Sequence, residues 1–424
     1  MSRESLSGSI QGLVMATRIE ATYEVTTPMF CGGAKQEPEL RLPSFKGLLR
    51  FWWRALAWSR LGGDLKRIKD EEDRLFGSSA TGRSRVLLQA LSPRGDRAVL
   101  GRSQVLTVTP ATKSPVGPGA RYLGYGVMEA FASRTRGTKE AQLTRSCIRG
   151  PFEFTVELAI RGLDDNDCRT VCDALTALGL FGGMGAKSRK GYGSLVLRSL
   201  RCDGQDAWKP PETFDVLEAA VRDLFERAGV LGGTSGAASS NGYPEYTALS
   251  RKSRCVLLIA EDAREPLETL DRIGREMIRY RSWGHGGKIL GGEDSERNFK
   301  DDHDLMKQSP PARRSHPRRI AFGLPHNYGK GRERQVGPED AGLDRRASPL
   351  LIHIHRCGSK PVAVLTFLPA RFLPARRNGI SVGGNPVPQQ PEPTLYQPVE
   401  AFLDRLLDEK QRREPFSLAR EVKA

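Results

Sequence analysis

Phe181-Gly-Gly-Met-Gly-Ala-Lys-Ser-Arg-Lys-Gly-Tyr-Gly-Ser-Leu195 is the stretch around which the rest of the chain can be ordered. Two glycine doublets, Gly183/Gly185 and Gly191/Gly193, each enclose one bulky residue, and Lys187, Arg189 and Lys190 lie between them. Without a Cβ, glycine admits positive φ and lets another backbone come close. A loop of this kind can wrap a phosphodiester with its own N–H groups while the basic side chains supply charge. No acid occurs from Ala174 to Cys202 to neutralise it. The alternative is a glycine-rich turn between a helix and a strand with solvated basic residues, but paired doublets with clustered charge exceed what a turn requires.

Three familiar nucleotide loops do not fit. A phosphate-binding Walker loop needs Gly-Lys-Ser/Thr without interruption, and Ala186 separates Gly185 from Lys187. A dinucleotide loop needs a third glycine and must open a helix, whereas no glycine stands at 188 and this loop leads into a strand. An RNP1 strand of an RRM begins Lys/Arg-Gly-Phe/Tyr-Gly, which Lys190-Gly191-Tyr192-Gly193 matches. Ser194 and Leu197 then stand where the stacking aromatics belong, which disfavours a general RRM-like binder.

Working outward, Ile19, Ala21, Tyr23 and Val25 alternate with the period of a half-buried strand. Leu48 to Leu56 is apolar enough for a buried helix, with Ser44 as its expected N-cap. On that helix Lys46, Arg50 and Arg54 fall four apart and line one stripe, and the helix N-terminus adds a favourable dipole for an anion; a solvated face on a core helix is the alternative. Asp64 to Phe76 reads as a charged helix, Arg85 to Leu91 and Phe152 to Ile160 as strands, Asp164 to Leu178 as a helix, and Tyr192 to Leu200 as a strand. The order is βαββαβ, the ferredoxin-like unit that RRMs also use. A second, degenerate copy is expected from strand Cys255–Ala260, helix Leu267–Arg281, a strand-like Arg319–Gly323, and strands Leu350–His355 and Val362–Leu368. The expected class is therefore α+β: two tandem ferredoxin-like (RRM-like) domains with helical and loop insertions. The expected divisions are a flexible N-terminus (1–15), a first domain (16–207) with the glycine-rich loop at 182–193, a second domain (208–384) with an insertion at 284–317, and a proline-rich tail with a terminal helix (385–424). Leu231 to Gly242 is Gly/Ser-rich and expected to be mobile.

The 424 residues include 66 Lys+Arg against 50 Asp+Glu, a net charge of +16 that points to a polyanionic partner. No long apolar run, lipidation signal or secretory h-region is visible, so a cytoplasmic protein without membrane attachment is expected. Seven scattered cysteines form no Cys-x-x-Cys pair and are read as reduced core residues.

The spacing from Gly183 to Gly193 resembles the glycine-rich signature of the RAMP superfamily of CRISPR RNA-binding proteins: Gly, hydrophobic, Gly, five residues with Lys or Arg, then Gly, hydrophobic, Gly. Tyr23-Glu-Val-Thr-Thr-Pro28, Gly32-Gly-Ala34, Pro43-Ser-Phe-Lys-Gly-Leu-Leu-Arg-Phe-Trp-Trp-Arg54 and Leu75-Phe-Gly-Ser78 resemble the N-terminal half of the subunit-one family of type III-B Cmr complexes. Phe322-Gly-Leu-Pro325 and Arg345-Arg-Ala-Ser-Pro-Leu350 resemble its C-terminal half. The resemblance implies an RNA-binding subunit near the end of an assembly, holding the 3′ part of a guide RNA (crRNA) and positioning single-stranded target RNA beside other RAMP subunits. With it, Arg345 and Arg346 join Lys46, Arg50, Arg54, Gly183, Gly185, Lys187, Arg189, Lys190, Gly191, Tyr192 and Gly193 as expected RNA-binding residues.

No catalytic constellation, metal site or cofactor is expected. His353 and His355 share one face of an apolar strand without a carboxylate motif and are read as structural. Asp301-Asp-His-Asp304 superficially suggests a His-Asp metal site, but further ligands from separate helices are not evident. His285, in the turn Trp283-Gly-His-Gly-Gly-Lys288, or His303 could serve a guide-processing RNA endonuclease, the alternative to binding without chemistry.

Overall fold

The computed structural model describes residues 16–33, 37–95, 97–231, 242–307, 315–329, 331–340, 342–374 and 379–423. The expected flexible segment 1–15 and nearly all of the Gly/Ser-rich stretch lie outside these residues, as does 308–314 of the expected insertion.

The first unit runs β1 (Thr17–Val25), α1 (Leu42–Arg60), α2 (Leu65–Phe76), β2 (Val86–Arg94), β3 (Phe152–Ile160), α3 (Asp165–Phe181), β4 (Leu195–Cys202), β5 (Gln205–Trp208) and α4 (Phe214–Arg227). Its sheet has the order β2-β3-β1-β4-β5. β1 is antiparallel to β3 from Thr17↔Ile160 to Val25↔Phe152. The helix α1 starts earlier than Ser44: Arg41 is its N-cap and Pro43 lies in the first turn, where a proline costs no hydrogen bond. It buries Phe45, Leu49, Trp52, Trp53 and Leu56, and the Trp53 indole donates to Thr170 Oγ1 at 3.0 Å.

The second unit repeats the order with β6 (Arg254–Ala260), α5 (Pro266–Arg281), β7 (Leu350–Cys357), β8 (Lys360–Phe367), α6 (Glu392–Leu407) and β9 (Phe416–Lys423). Its sheet is β7-β8-β6-β9, all antiparallel. Two expectations are corrected here. Residues 385–424 are not a tail: they supply α6, which buries Leu395, Tyr396, Val399, Phe402 and Leu406, and β9, which closes the sheet beside β6. With both present the second unit has four strands and two helices in the order βαββαβ. Arg318–Phe322 is a 3₁₀ helix rather than a strand.

The two units are clasped in two ways. α3 is apolar nearly all round, burying Val171, Ala174, Leu175, Ala177, Leu178, Leu180 and Phe181, because it lies in one core with its own sheet, with Leu351 of β7 and with Val362 and Val364 of β8. The segment between β2 and β3 sends a short helix, Pro118–Leu123, onto α5. A Cβ on Gly274 would fall 2.1 Å from the Gly119 carbonyl oxygen, so the crossing requires glycine there. Asp271 Oδ1 accepts from the amides of Gly119 and Ala120 at 2.7 and 3.0 Å and fixes that contact. No helix among the described residues is long and apolar enough to cross a membrane.

Candidate nucleic-acid interface

The glycine loop lies between α3 and β4, on the seam of the two units. Its backbone is consumed by that position. Met184 N donates to Gly193 O at 2.8 Å, Ala186 N to Phe30 O at 2.9 Å and Gly193 N to Pro28 O at 2.9 Å, while Ile352 N of β7 donates to Arg189 O at 3.1 Å. Gly183, Gly191, Tyr192 and Gly193 are buried. A Cβ on Gly193 would stand 2.1 Å from Met184 O, and the Tyr192 hydroxyl donates to Ala120 O at 2.8 Å. The doublets let the loop pack against its own protein, and Tyr192 is a core residue. Only the edge from Gly185 to Lys190 faces outward.

The three cations of that edge have separate surroundings. The Lys187 ammonium stands 4.0 Å from where a Cβ on Gly126 would be, and burial together with repulsion from Arg145 holds its pKa below the usual lysine value. The Arg189 guanidinium stands 5.4 Å over the Phe51 ring and donates to Ser348 O at 2.7 Å. Burial and the nearby Arg346 push its pKa down to about 10. Lys190 turns inward: its ammonium is enclosed without a hydrogen-bond partner among the described residues, and burial plus Arg281, Lys187 and Arg189 bring its pKa to about 7. An ammonium so placed lies beneath the outward edge of the loop rather than on it.

Beside Phe51 a cleft opens between the units, lined by Arg54 and Tyr246 on one side and by Leu343, Arg345, Arg346, Arg371 and Phe372 on the other. Of its four arginines, Arg54, Arg345 and Arg371 each have a carboxylate partner and Arg346 has none among the described residues. Arg345 touches only the exposed Asp344, and Arg346 reaches Thr247 Oγ1 at 3.4 Å and Arg371 O at 3.3 Å with its guanidinium 6.0 Å from the Phe372 ring. Arg371 pairs with Glu245 at 2.9 Å. Arginines interleaved with aromatic rings in an open groove suit single-stranded nucleic acid, whose phosphates take the charge and whose bases take the rings.

Of the expected residues, the cleft brings together Arg54, Arg345 and Arg346, with Arg189 on the far side of Phe51. Arg50 is directed elsewhere: it shares the buried Glu72 carboxylate with Arg54, at 2.7 and 2.6 Å, and lies 6.0 Å from the Phe76 ring. Two guanidiniums on one carboxylate leave a single net charge, so the stripe is half neutralised. Lys46 is half-buried one turn before Arg50, whose charge together with burial lowers its pKa. Sequence reasoning missed Tyr246, Arg371 and Phe372. The alternation of basic and aromatic residues in Ala370-Arg-Phe-Leu-Pro-Ala-Arg-Arg377 was the available signal.

His353, His355, His303 and Asp302 are engaged by packing, whereas His285 and Asp301 are exposed. His353 Nδ1 is 2.7 Å from Gly182 O and its Nε2 3.3 Å from His355 Nδ1, both rings fully buried, and burial lowers the His353 pKa to about 4. His303 is stacked on Trp283 with ring centroids 4.5 Å apart. Asp302 accepts from the amides of Arg318 and Arg319 at 2.7 and 2.8 Å, so it caps the 3₁₀ helix. The His285 amide closes a turn with Lys288 O at 3.1 Å. No group of three or more His, Cys, Asp or Glu among the described residues is placed to hold a metal ion, and all seven cysteines are free thiols.

Residues 22–196, from β1 through the glycine loop into β4, match the RAMP superfamily. The chain carries a RAMP-superfamily domain. Beyond it, the chain is homologous over most of its length to the CRISPR system Cmr subunit Cmr1-1 of Pyrococcus furiosus: 24% identity over 350 residues, covering 81% of this chain and 85% of that protein. Among solved structures, the apo crystal structure of Cmr1 from Pyrococcus furiosus aligns over 89% of this chain and 95% of its own at 20% identity, with a TM-score of 0.48. A chain of the cryo-EM structure of the type III-B Cmr-beta complex bound to cognate target RNA and AMPPnP, in the presence of ssDNA, aligns over 92% and 99% at 11% identity, with a TM-score of 0.49. The RAMP domain therefore contains the loop whose outward edge adjoins the arginine cleft, while the opposite wall of that cleft comes from the second unit.

Proposed function

We propose that this chain is the Cmr1-type subunit of a type III-B CRISPR effector ribonucleoprotein. In this reading it binds RNA without cutting it, holds the guide RNA near its 3′ end beside other RAMP subunits, and helps capture target RNA in cytoplasmic antiviral defence. The two units are read as tandem ferredoxin-like domains, a reading supported by their shared strand order. The observation that carries the function is the cleft between them, where Arg345, Arg346 and Arg371 accompany Phe51, Tyr246 and Phe372. Homology with a Cmr subunit supports the assembly.

The test is ultraviolet crosslinking of the tagged chain purified with its RNA from the native host, followed by sequencing of the RNA and mass spectrometry of the peptides. The expected result is guide RNA crosslinked through its 3′ half to peptides containing Tyr246 or Phe372. Recovery without guide RNA, or crosslinks confined to the guide's 5′ end, would refute it. Incubation of purified protein with single-stranded RNA and guide precursors, with and without Mg²⁺, should leave both intact. Cleavage lost in His285→Ala or His303→Ala would replace this reading with an endonuclease.

A further inference from the structure

The segment between β2 and β3 carries a feature for which neither the glycine loop nor the cleft accounts. Five large apolar side chains are exposed among the described residues, and three of them, Val99, Tyr125 and Phe131, lie in this segment. Tyr125 is 72% exposed, yet it is not on a loose loop. It follows the Pro118–Leu123 helix clamped on α5, and the turn that holds it is closed by Val127 N donating to Gly124 O at 3.0 Å and Thr144 N to Val127 O at 3.0 Å. Leu123, Val127 and Met128 anchor the turn in the second core. A large ring is thus held in water on a rigid support, which minimises the ordering cost of binding to it.

A cation stands beside that turn. The Lys187 ammonium stands 4.0 Å from where a Cβ on Gly126, the residue after Tyr125, would be, with Arg145 close enough to repel it. The nearby acids are already engaged, Glu129 with Arg136 at 3.3 Å and Glu140 with Arg121 at 2.9 Å. A protein surface would need carboxylates to match two like charges and an apolar partner for the ring. A nucleotide brings both complements in one unit: a flat π-face and a phosphate.

We propose that the Tyr125–Gly126 turn is a stacking platform for one base of single-stranded RNA, with Lys187 and Arg145 taking the adjoining phosphate. It rests on the RNA-binding reading above and extends it: the strand leaves the arginine cleft, passes Arg189 on the outward edge of the glycine loop and reaches this turn. Stacking is indifferent to base identity, so the platform selects single-stranded form rather than sequence.

The experiment titrates the full-length protein with single-stranded RNA carrying 2-aminopurine at successive positions, using wild type, Tyr125→Ala, Tyr125→Leu and Tyr125→Trp. Wild type should quench 2-aminopurine at one position. The Ala and Leu variants should abolish that quenching and lose roughly 5- to 100-fold in affinity, and Trp should restore both. Because the side chain is exposed, all four should have the same circular dichroism and melting temperature. Lys187→Ala should weaken binding without removing the quenching. Wild-type RNA affinity in Tyr125→Ala and Tyr125→Leu would overturn the platform while leaving the cleft reading intact, and the same result with weakened association to other subunits would assign the turn to a protein contact. Absence of RNA binding by wild type itself would overturn both.

Discussion

Replacing Lys190 by methionine removes an ammonium that the fold encloses among cations, and the effect can be worked out from its displaced titration. In the folded chain the group titrates at about 7, against 10.5 for an ordinary lysine. Between those values the unfolded chain holds a proton that the folded chain has released, so stability rises with pH, by at most about 1.4 kcal/mol per unit. Below pH 7 both states are charged and the slope vanishes with the full penalty in place; above the ordinary lysine value both are neutral and no penalty remains. From pH 7, where the folded group is half ionised, to pH 9, where it is neutral, the wild type should gain roughly 2 kcal/mol from this site alone. Lys190→Met lacks the term and should be the more stable protein at pH 7. Urea unfolding of both at pH 6, 7, 8 and 9 isolates the site by difference: the advantage of the variant should shrink by only about 0.4 kcal/mol from pH 6 to 7 and by roughly 2 kcal/mol more by pH 9. Parallel pH profiles for the two proteins would mean that the ammonium is solvated or paired, and that the seam is not closed over it.

Mutating Arg345, Arg346 and Arg371 together to Ala should flatten the slope of log K against log salt for single-stranded RNA by up to about 2, since each phosphate contact contributes about 0.7. The loss should be equal for unrelated sequences, measured by fluorescence anisotropy at several salt concentrations. Trp53→Ala should destabilise the fold by about 3–5 kcal/mol in urea titration, because the ring is 1% exposed and its N–H is bonded to Thr170. Gly193→Val should lower the melting temperature as well as RNA binding, because its φ of +63° and the 2.1 Å approach to Met184 O leave no room for a branched side chain; RNA binding lost at an unchanged melting temperature would return the doublets to a direct phosphate role.

What the sequence made legible was local. The first unit's strands and helices follow from residue alternation and apolar spacing, and α1 could be read from Leu48 to Leu56 because three Trp/Phe side chains stand in a row there. The helix start was misplaced because Ser44 is a good cap by type while Pro43 is a good first-turn residue, and the proline decided. β9 escaped because its pairing with β6 shifts register between Phe416 and Leu418, which breaks the alternation a strand normally displays. The cleft was only half legible. Arg54 and Arg345–Arg346 lie nearly 300 residues apart, and nothing in a linear pattern reports that Arg371 and Phe372 complete the same wall.

The glycine signature was legible as a pattern, and its packing within the protein was not. A glycine that admits a close approach does not say whose atoms will approach. Here they are Pro28 and Phe30 of the same unit and, through Arg189 O, the amide of Ile352 in the other. That outcome does not weaken the case for RNA. A loop whose glycines merely touched phosphate would be free to move until RNA arrived, whereas one stitched to both units carries Lys187 and Arg189 in fixed positions on its outward edge. The desolvation that lowers the pKa of both cations is a cost already met in folding, and a phosphate that reaches them meets charges which are poorly solvated and nearly immobile, the condition in which an ion pair gains most. In the proposed RNA-binding role the doublets act by position: they set where the charge stands beside the arginines and rings of the cleft.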